Sequence, residues 1–479
     1  MDARVEKTDD GKPMQIVEQG LYEIRKKIYP RAVTGSFATA RWALVIFTQL
    51  LFYGLAWMPW NDRQAVLFDL AARKFYIFGL VFWPQDIVYL TVILILAAYS
   101  LFLFTAVAGR LWCGYACPQT VYTEIFMWIE RKVEGERLAR MKLDKAPASA
   151  NKIARKALKH GLWIALALWT GFTFVGYFTP IRTLFGDVLA FATGPWETFW
   201  LLFYGFATYG NAGWMREQVC KYMCPYARFQ GVMFDPDTLV ITYDRDRGEP
   251  RGARSKSADP AKQGLGSCVD CGICVQVCPT GIDIRNGLQY ECIGCAACID
   301  GCDQVMDKMG YPRGLIRYST ENAIRDKLDS KALVRRVFRP RVLLYTGILL
   351  AVLIAAAVTL ANRTPVKVDV IRDRVPMSVD NGDGRVENVY RLQVMNTGET
   401  PRRFDVTVTG LPDIQLSSRE LPLELKGASQ RMLPLRIRAL PAAGARGSQT
   451  IEFRVTATAI DDPSAAPITI TETARFIVP

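Results

Sequence analysis

Eight of the chain's twelve cysteines fall between Cys268 and Cys302, in CVDCGICVQVCPTGIDIRNGLQYECIGCAACIDGC. The stretch holds C-x2-C-x2-C-x3-C twice, the spacing that wraps two 4Fe–4S cubanes. Three closely spaced thiolates fit a tight turn around one corner of a cube, and the fourth of each run is carried to the neighbouring cube. Cys268, Cys271, Cys274 and Cys302 are therefore assigned to one cluster, and Cys292, Cys295, Cys298 and Cys278 to the other. Zinc takes four ligands per ion and has no use for a third cysteine in each run, with the run then repeated. Pro279 follows the first run, whereas Asp303 follows the second and places a negative charge beside one cluster, which would lower its potential. The crossing keeps the two cubes close, and close clusters pass single electrons.

The other four cysteines form an internal repeat. Leu111 to Thr120 reads LWCGYACPQT and Val219 to Phe229 reads VCKYMCPYARF, so Cys113 and Cys220, like Cys117 and Cys224, stand 107 residues apart. Positions i and i+4 on one helix would put both thiols of a motif on one face, and the proline suits the first residue of a new helix. After Pro118, Val121, Ile125, Trp128 and Ile129 recur at helical spacing among Glu124, Glu130, Arg131 and Lys132, which predicts a helix along the inner membrane surface. Together Cys113, Cys117, Cys220 and Cys224 would make a four-sulfur pocket of catalytic use, whose soft thiolates suit Cu(I) or a further iron–sulfur centre. The plainer alternative is that small cysteines let helices pack.

These motifs need elements to hold them at a membrane. Long apolar runs occur at Trp42–Trp60, Ile87–Ala108, Gly161–Pro180, around 190–212 and at Val342–Ala361, which predicts five crossings in two repeated hairpins plus one closing helix. The loop 109–160 carries eleven Lys and Arg, against three in 61–86, so the amino terminus and the clusters are expected in the cytoplasm and the region after Ala361 in the periplasm. The opening residues are polar and read as lacking a removable signal peptide. Of the formal +13, only +2 lies beyond residue 362, so the basic excess reads as membrane topology and not as nucleic-acid binding. The single histidine, His160, excludes bis-histidine haem and histidine-rich copper centres as intrinsic cofactors, and itself reads as an ordinary interfacial residue. Glu197, inside the fourth run, reads as the first turn of a helix begun by Pro195; the alternative is a proton acceptor for a quinol.

Domains follow: a cytoplasmic segment 1–41, a four-helix membrane domain 42–230, a 2×4Fe–4S ferredoxin domain 231–339, a fifth transmembrane helix 340–362 and a β-domain 363–479. Leu239 to Asp244 reads as a short strand bracing the clusters. In the last domain Tyr390, Leu392 and Val394 alternate with polar neighbours, as do Ile451, Phe453, Val455 and Ala457, and Ile468 with Ile470. With turns at NGDG, NTGET, PAAGARG and DDPS this predicts an antiparallel, immunoglobulin-like sandwich. No nucleotide-binding loop is visible, so an external donor, a quinol or a reduced carrier, must bring electrons.

The two C-x3-C-P hairpins, the ferredoxin stretch, the following DKMGYPRGLIRYST and the helix leading to a β-sandwich resemble the cytochrome c oxidase accessory protein family, also called CcoG, FixG or RdxA. The resemblance implies a polyferredoxin of the bacterial inner membrane that reduces Cu(II) to Cu(I) for assembly of a cbb3-type oxidase, alongside copper-transport proteins. It also implies cluster ligation by the eight ferredoxin cysteines, and copper handling or a further redox site at Cys113, Cys117, Cys220 and Cys224. A quinol dehydrogenase of the kind associated with periplasmic nitrate reduction and a redox-sensing assembly scaffold are the competing readings.

Overall fold

Helix α1 (Ser36–Trp57) is entered through Gly35 and has no side-chain cap of its own. The cap comes from the ferredoxin domain, where the Asp300 carboxylate accepts the backbone N–H of Ala38 at 2.7 Å and of Phe37 at 3.3 Å. An anion at a helix N-terminus meets the unpaired N–H groups and the positive end of the dipole, so this contact fixes the clusters to the end of the first membrane helix. The computed structural model describes residues 27–256, 263–372, 379–380, 385–440, 446–462 and 464–478. Most of the expected amino-terminal segment, the NGDG turn, most of PAAGARG and Pro463 of DDPS lie outside the described residues.

At its far end α1 gives way to two small antiparallel sheets between Pro59 and Phe82. Helix α2 (Ile87–Ala108) then returns, and α3 (Leu111–Tyr115), α4 (Pro118–Glu134) and α5 (Arg137–Lys145) follow. The second hairpin runs through α6 (Ala150–Val175), α7 (Ile181–Leu189) and α8 (Pro195–Thr208). It packs backbone to backbone: a Cβ on Gly171 would stand 2.3 Å from the Leu201 carbonyl oxygen, the close approach that small residues allow between membrane helices. Helix α9 (Pro225–Met233) leads to the ferredoxin domain, and Pro340–Ala361 is the closing helix, packed on α2.

Among the described residues four helices, not five, are long and apolar enough to cross a membrane by themselves. The expected crossing around 190–212 is instead the 14-residue α8 continued by a π-helical segment, Tyr209–Met215. Gly210, Asn211 and Gly213 are poor α formers, and Gln119 donates to the carbonyls of Asn211 at 2.9 Å and Arg216 at 3.1 Å, so the widened backbone keeps its partners. The composite segment still returns the chain to the cluster end. The third helix also differs, beginning at Ala150 and not at Gly161, because Ser149 caps it by accepting from the Lys152 N–H. Glu197 sits in the first turn of α8 after Gly194 and Pro195, the helix-start arrangement expected of it.

Helix α4 is amphipathic, with Val121 and Phe126 buried and Trp128 exposed. Glu130, expected on its polar face, is one of the most buried charges in the chain, at 1 % exposure. It pairs with Arg140 at 3.1 Å and Arg216 at 3.0 Å, while Lys159 of α6 bridges Glu134 at 3.0 Å. Because Arg216 lies just ahead of the second cysteine motif, this ion cluster pins the second hairpin to the first.

The carboxy-terminal domain is the antiparallel sandwich that the alternation predicts. One sheet orders Gln415–Ser417, Ser429–Ala439, Val386–Asn396 and Val366–Arg372, with Val379–Asp380 beside the third; the other orders Leu423–Leu425, Arg402–Thr409, Gly447–Ala459 and Ile468–Val478. Tyr390, Leu392, Val394, Ile451, Phe453, Val455 and Ala457 lie fully buried between the sheets, whereas Ile468 and Ile470 pack at the core's edge. Arg63 pairs with Glu399 at 2.6 Å and Lys367 with Asp86 at 2.5 Å. These contacts hold the sandwich against the 59–86 connection, at the opposite end of the helices from the ferredoxin domain.

Candidate functional site

The two ferredoxin runs fold as copies of one loop. Asp270 and Gly272 flank Cys271 with φ of 49° and 63°, and Gly294 and Ala296 flank Cys295 with φ of 68° and 58°. Left-handed residues on both sides of the middle cysteine curl the chain into a concavity whose N–H groups face inward, an arrangement that suits an anionic cluster. Ala296 accepts this conformation at a cost of about 1–2 kcal/mol, and a short helix, Ala297–Met309, carries Cys298 and Cys302 away from the loop. The strand expected at Leu239 to Asp244 forms as Val240–Tyr243 and pairs with Ile316–Ser319, bracing the loops from behind.

The crossed assignment expects Cys302 beside Cys268, Cys271 and Cys274, and Cys278 beside Cys292, Cys295 and Cys298. Burial pushes the Cys302 thiol up to about 12, and the neighbouring thiols that add to the rise are Cys274, Cys268 and Cys271. Burial likewise pushes Cys292 up to about 12, with Cys295 and Cys278 adding to it, and raises Cys298 well above its ordinary value beside Cys295, Cys292 and Cys278, with Cys274 of the first set also within reach. Asp303 also raises Cys302, so its charge does lie beside the first group. Thiols set this close in apolar surroundings resist ionising unless a cationic centre neutralises them. Among the described residues no three His, Cys, Asp or Glu side chains close on a point that would hold a single ion. Cubane thiolates each bind a separate iron, and so stand wider apart than the ligands of one metal ion. The first group is the outer one, with Cys271 exposed, and the second faces the membrane domain.

The four remaining cysteines neighbour one another from the two hairpins, though no three of them close on a point that would hold a single ion. Burial pushes Cys220 up to about 12, with Cys117, Cys113 and Cys224 adding to it, and Cys113 up to about 11. The i, i+4 arrangement on one helix is not what brings them together. Cys113 lies on α3 and Cys220 on a π-helical turn, Val219–Met223, while Cys117 and Cys224 are extended residues that cap α4 and α9. The reason is the proline after each: a residue before proline is driven out of the α region, which breaks the helix inside the motif. The prolines do open α4 and α9 as expected.

This sulfur group adjoins the second ferredoxin group. Cys113 and Cys220 pack on the apolar cluster of Val277, Ile293, Cys295 and Ala297. Gly114, inside the first motif, lies so close that a Cβ there would stand 2.8 Å from the Cys295 backbone. Buried Arg110 donates to the carbonyls of Tyr290 and Ala227, and its charge opposes the rise at Cys113, Cys220 and Cys292 alike. Arg41, also buried, donates to the Cys295 carbonyl at 2.9 Å. Gln230, fully buried on α9, is 3.5 Å from the Cys113 sulfur. The sequence reading missed Arg41, Arg110, Gln230 and Asp300. A charged residue at the end of an apolar run was the only signal for the two arginines.

His160 is half-buried, 3.0 Å from the Tyr209 hydroxyl and stacked on Trp214.

Residues 215–321 match the model of a 4Fe-4S dicluster domain, residues 89–135 that of a 4Fe-4S binding domain, and residues 356–479 that of the IG-like fold at the C-terminal of FixG. Nitrogen fixation protein FixG of Rhizobium meliloti is 41% identical over 424 residues, spanning 82% of this chain and 81% of that protein. The chain belongs to the FixG/RdxA family. Protein RdxA of Cereibacter sphaeroides is 40% identical over 82% of this chain and 84% of its own. Ferredoxin-type protein NapH of Haemophilus influenzae is 27% identical over 45% of this chain and 67% of its own. As a FixG/RdxA family member, the protein is an iron–sulfur electron-transfer protein with membrane helices and two 4Fe–4S clusters.

Proposed function

We propose that this protein is a cupric reductase: it delivers single electrons to Cu(II) at Cys113, Cys117, Cys220 and Cys224, and the Cu(I) formed serves assembly of a cbb3-type oxidase. The observation that carries this reading is the packing of Cys113 and Cys220 against the Cys295 loop, which leaves the four-sulfur group next to the second set of cluster ligands. Bound clusters supply one-electron transfer, and one electron per ion is what cupric reduction consumes. Soft thiolates favour Cu(I) over Cu(II), and the raised thiol values at Cys113 and Cys220 keep these sulfurs protonated until a cation arrives. Copper is here a substrate that passes through and not a resident ion.

The eleven cations of 109–160 support placing the sulfur groups in the cytoplasm of a bacterial inner membrane, with the sandwich in the periplasm, where copper-transport proteins or the oxidase could meet it. The likeness to NapH supports a second reading, an electron relay from quinol to a partner subunit. The test is anaerobic mixing of dithionite-reduced, desalted protein with Cu(II) and a Cu(I)-specific chelator. Stoichiometric Cu(I), lost in Cys113→Ser/Cys220→Ser, is expected. Equal Cu(I) from wild type and variant would overturn the reading.

A further inference from the structure

A groove of about 690 Å³ opens at the cluster end of α1 and α4. One wall is Trp42 against Trp128, edge to face at 6.4 Å, and Ile46 lies along the side that follows α1 toward the bilayer. The inner end is closed by Pro279, which follows the ligand Cys278, and by Arg41, whose guanidinium already holds the Cys295 carbonyl. Arg41 is 6 % exposed, and its Nε has no hydrogen-bond partner. Glu124 also lines the groove, within electrostatic reach of Arg41, and makes no hydrogen bond or ion pair among the described residues.

A carboxylate that makes no hydrogen bond and two indoles, open toward the bilayer side of α1 at one end and touching a cluster-ligand loop at the other, describe the needs of a particular ligand. We infer that this groove binds the headgroup of a lipid-soluble quinol, with Glu124 accepting from a hydroxyl, the two indoles flanking the ring and the prenyl tail leaving past Ile46. The inference rests on the electron-transfer reading and gives it an electron source. Oxidation to the quinone breaks two O–H bonds and releases two protons and two electrons. Glu124 takes the proton of the hydroxyl it holds and passes it to water, the opposite hydroxyl loses its proton to water in the open groove, and bound 4Fe–4S clusters would be the one-electron acceptors. Arg31, Arg131, Lys132 and Arg140 also line the groove and would draw an anionic phospholipid, but only a redox-active headgroup has a use for the contact with the Cys278–Pro279 loop.

The test is photolabelling of the intact protein, in phosphatidylcholine nanodiscs, with an azido-benzoquinone, followed by peptide mapping. Label is expected on peptides containing Trp42 and Trp128, competed by decylubiquinone and not by phosphatidylglycerol. Glu124→Ala and Trp128→Leu should each weaken labelling by about tenfold, the loss expected for a charge-assisted hydrogen bond or a stacking wall, while iron content stays at the wild-type level. Label near Trp163 and Trp214 instead, competition by phosphatidylglycerol, or labelling unchanged in both variants would overturn the inference. None of these outcomes depends on copper, so failure here leaves the cupric reading standing, and failure there leaves this one.

Discussion

Gly114→Ala tests the contact on which the proposed electron path to the four-sulfur group depends. The added Cβ would stand 2.8 Å from Cys295 N and Cα and from the Gly294 carbonyl carbon, where ordinary contact begins near 3.4 Å. The backbone opposite cannot yield easily, because Gly294 and Ala296 are both left-handed and the Cys295 carbonyl is held by Arg41. Overpacking of this kind costs about 1–3 kcal/mol, and the better helix propensity of alanine returns at most about 1 kcal/mol. With the full return the net expectation is a loss of up to about 2 kcal/mol, the difference of those two effects, and on the proposed function Cu(I) formation should slow as the two sulfur groups separate. Gly161→Ala is the control: nothing lies within 4 Å of its Cβ, so it should be neutral or stabilising by up to about 1 kcal/mol. Graded unfolding by SDS in mixed micelles, followed by tryptophan fluorescence and by visible iron–sulfur absorption, measures both. Gly114→Ala as stable and as active as Gly161→Ala would refute the argued contact.

Two further outcomes follow from the buried charges and the crossed ligands. Glu130→Gln should destabilise by about 3–5 kcal/mol, since it leaves Arg140 and Arg216 buried without their counter-charge; unfolding in the same micelles measures it. Burial alone would raise Glu130, but Arg216, Arg140 and Lys159 outweigh it and hold the carboxyl below its ordinary 4.5. Its contribution should therefore be complete above pH 4.5 and fade as pH falls below that value, and wild type but not Glu130→Gln should lose it on acid titration. Cys278→Ser should halve the iron, from about eight atoms to about four, and extinguish the cluster otherwise held by Cys292, Cys295 and Cys298. Electron paramagnetic resonance after dithionite should show that the surviving signal is the one lost in Cys302→Ser, whereas loss of the same signal in both variants would contradict the crossing.

How much of this was legible depends on how local the cause is. The ferredoxin loops were readable because the ligands and their turns lie within one short stretch, and the sandwich because alternation such as Tyr390, Leu392 and Val394 is a local pattern with a two-sheet consequence. Pro118 and Pro225 announced helix starts, but the same prolines broke the i, i+4 geometry assumed for the cysteines before them. The fourth crossing was legible as an apolar run, but not its π-helical widening at Tyr209–Met215, which depends on Gln119 from another hairpin and which hydropathy does not register. The roles of Arg41, Arg110 and Asp300 went unread for a related reason. Their partners are backbone groups distant in sequence, and a backbone carbonyl or N–H leaves no mark on composition or spacing.

The central claim is that eight cysteines hold two cubanes while Cys113, Cys117, Cys220 and Cys224 form a separate sulfur group beside them. Iron and acid-labile sulfide, quantified in anaerobically purified wild type and Cys113→Ser/Cys220→Ser, test it directly. About eight iron atoms per chain in both proteins is the predicted result, as two four-iron cubes require. A fall to about four in the variant, or about twelve in wild type dropping to eight, would contradict it, because the membrane-edge thiols would then be cluster ligands themselves.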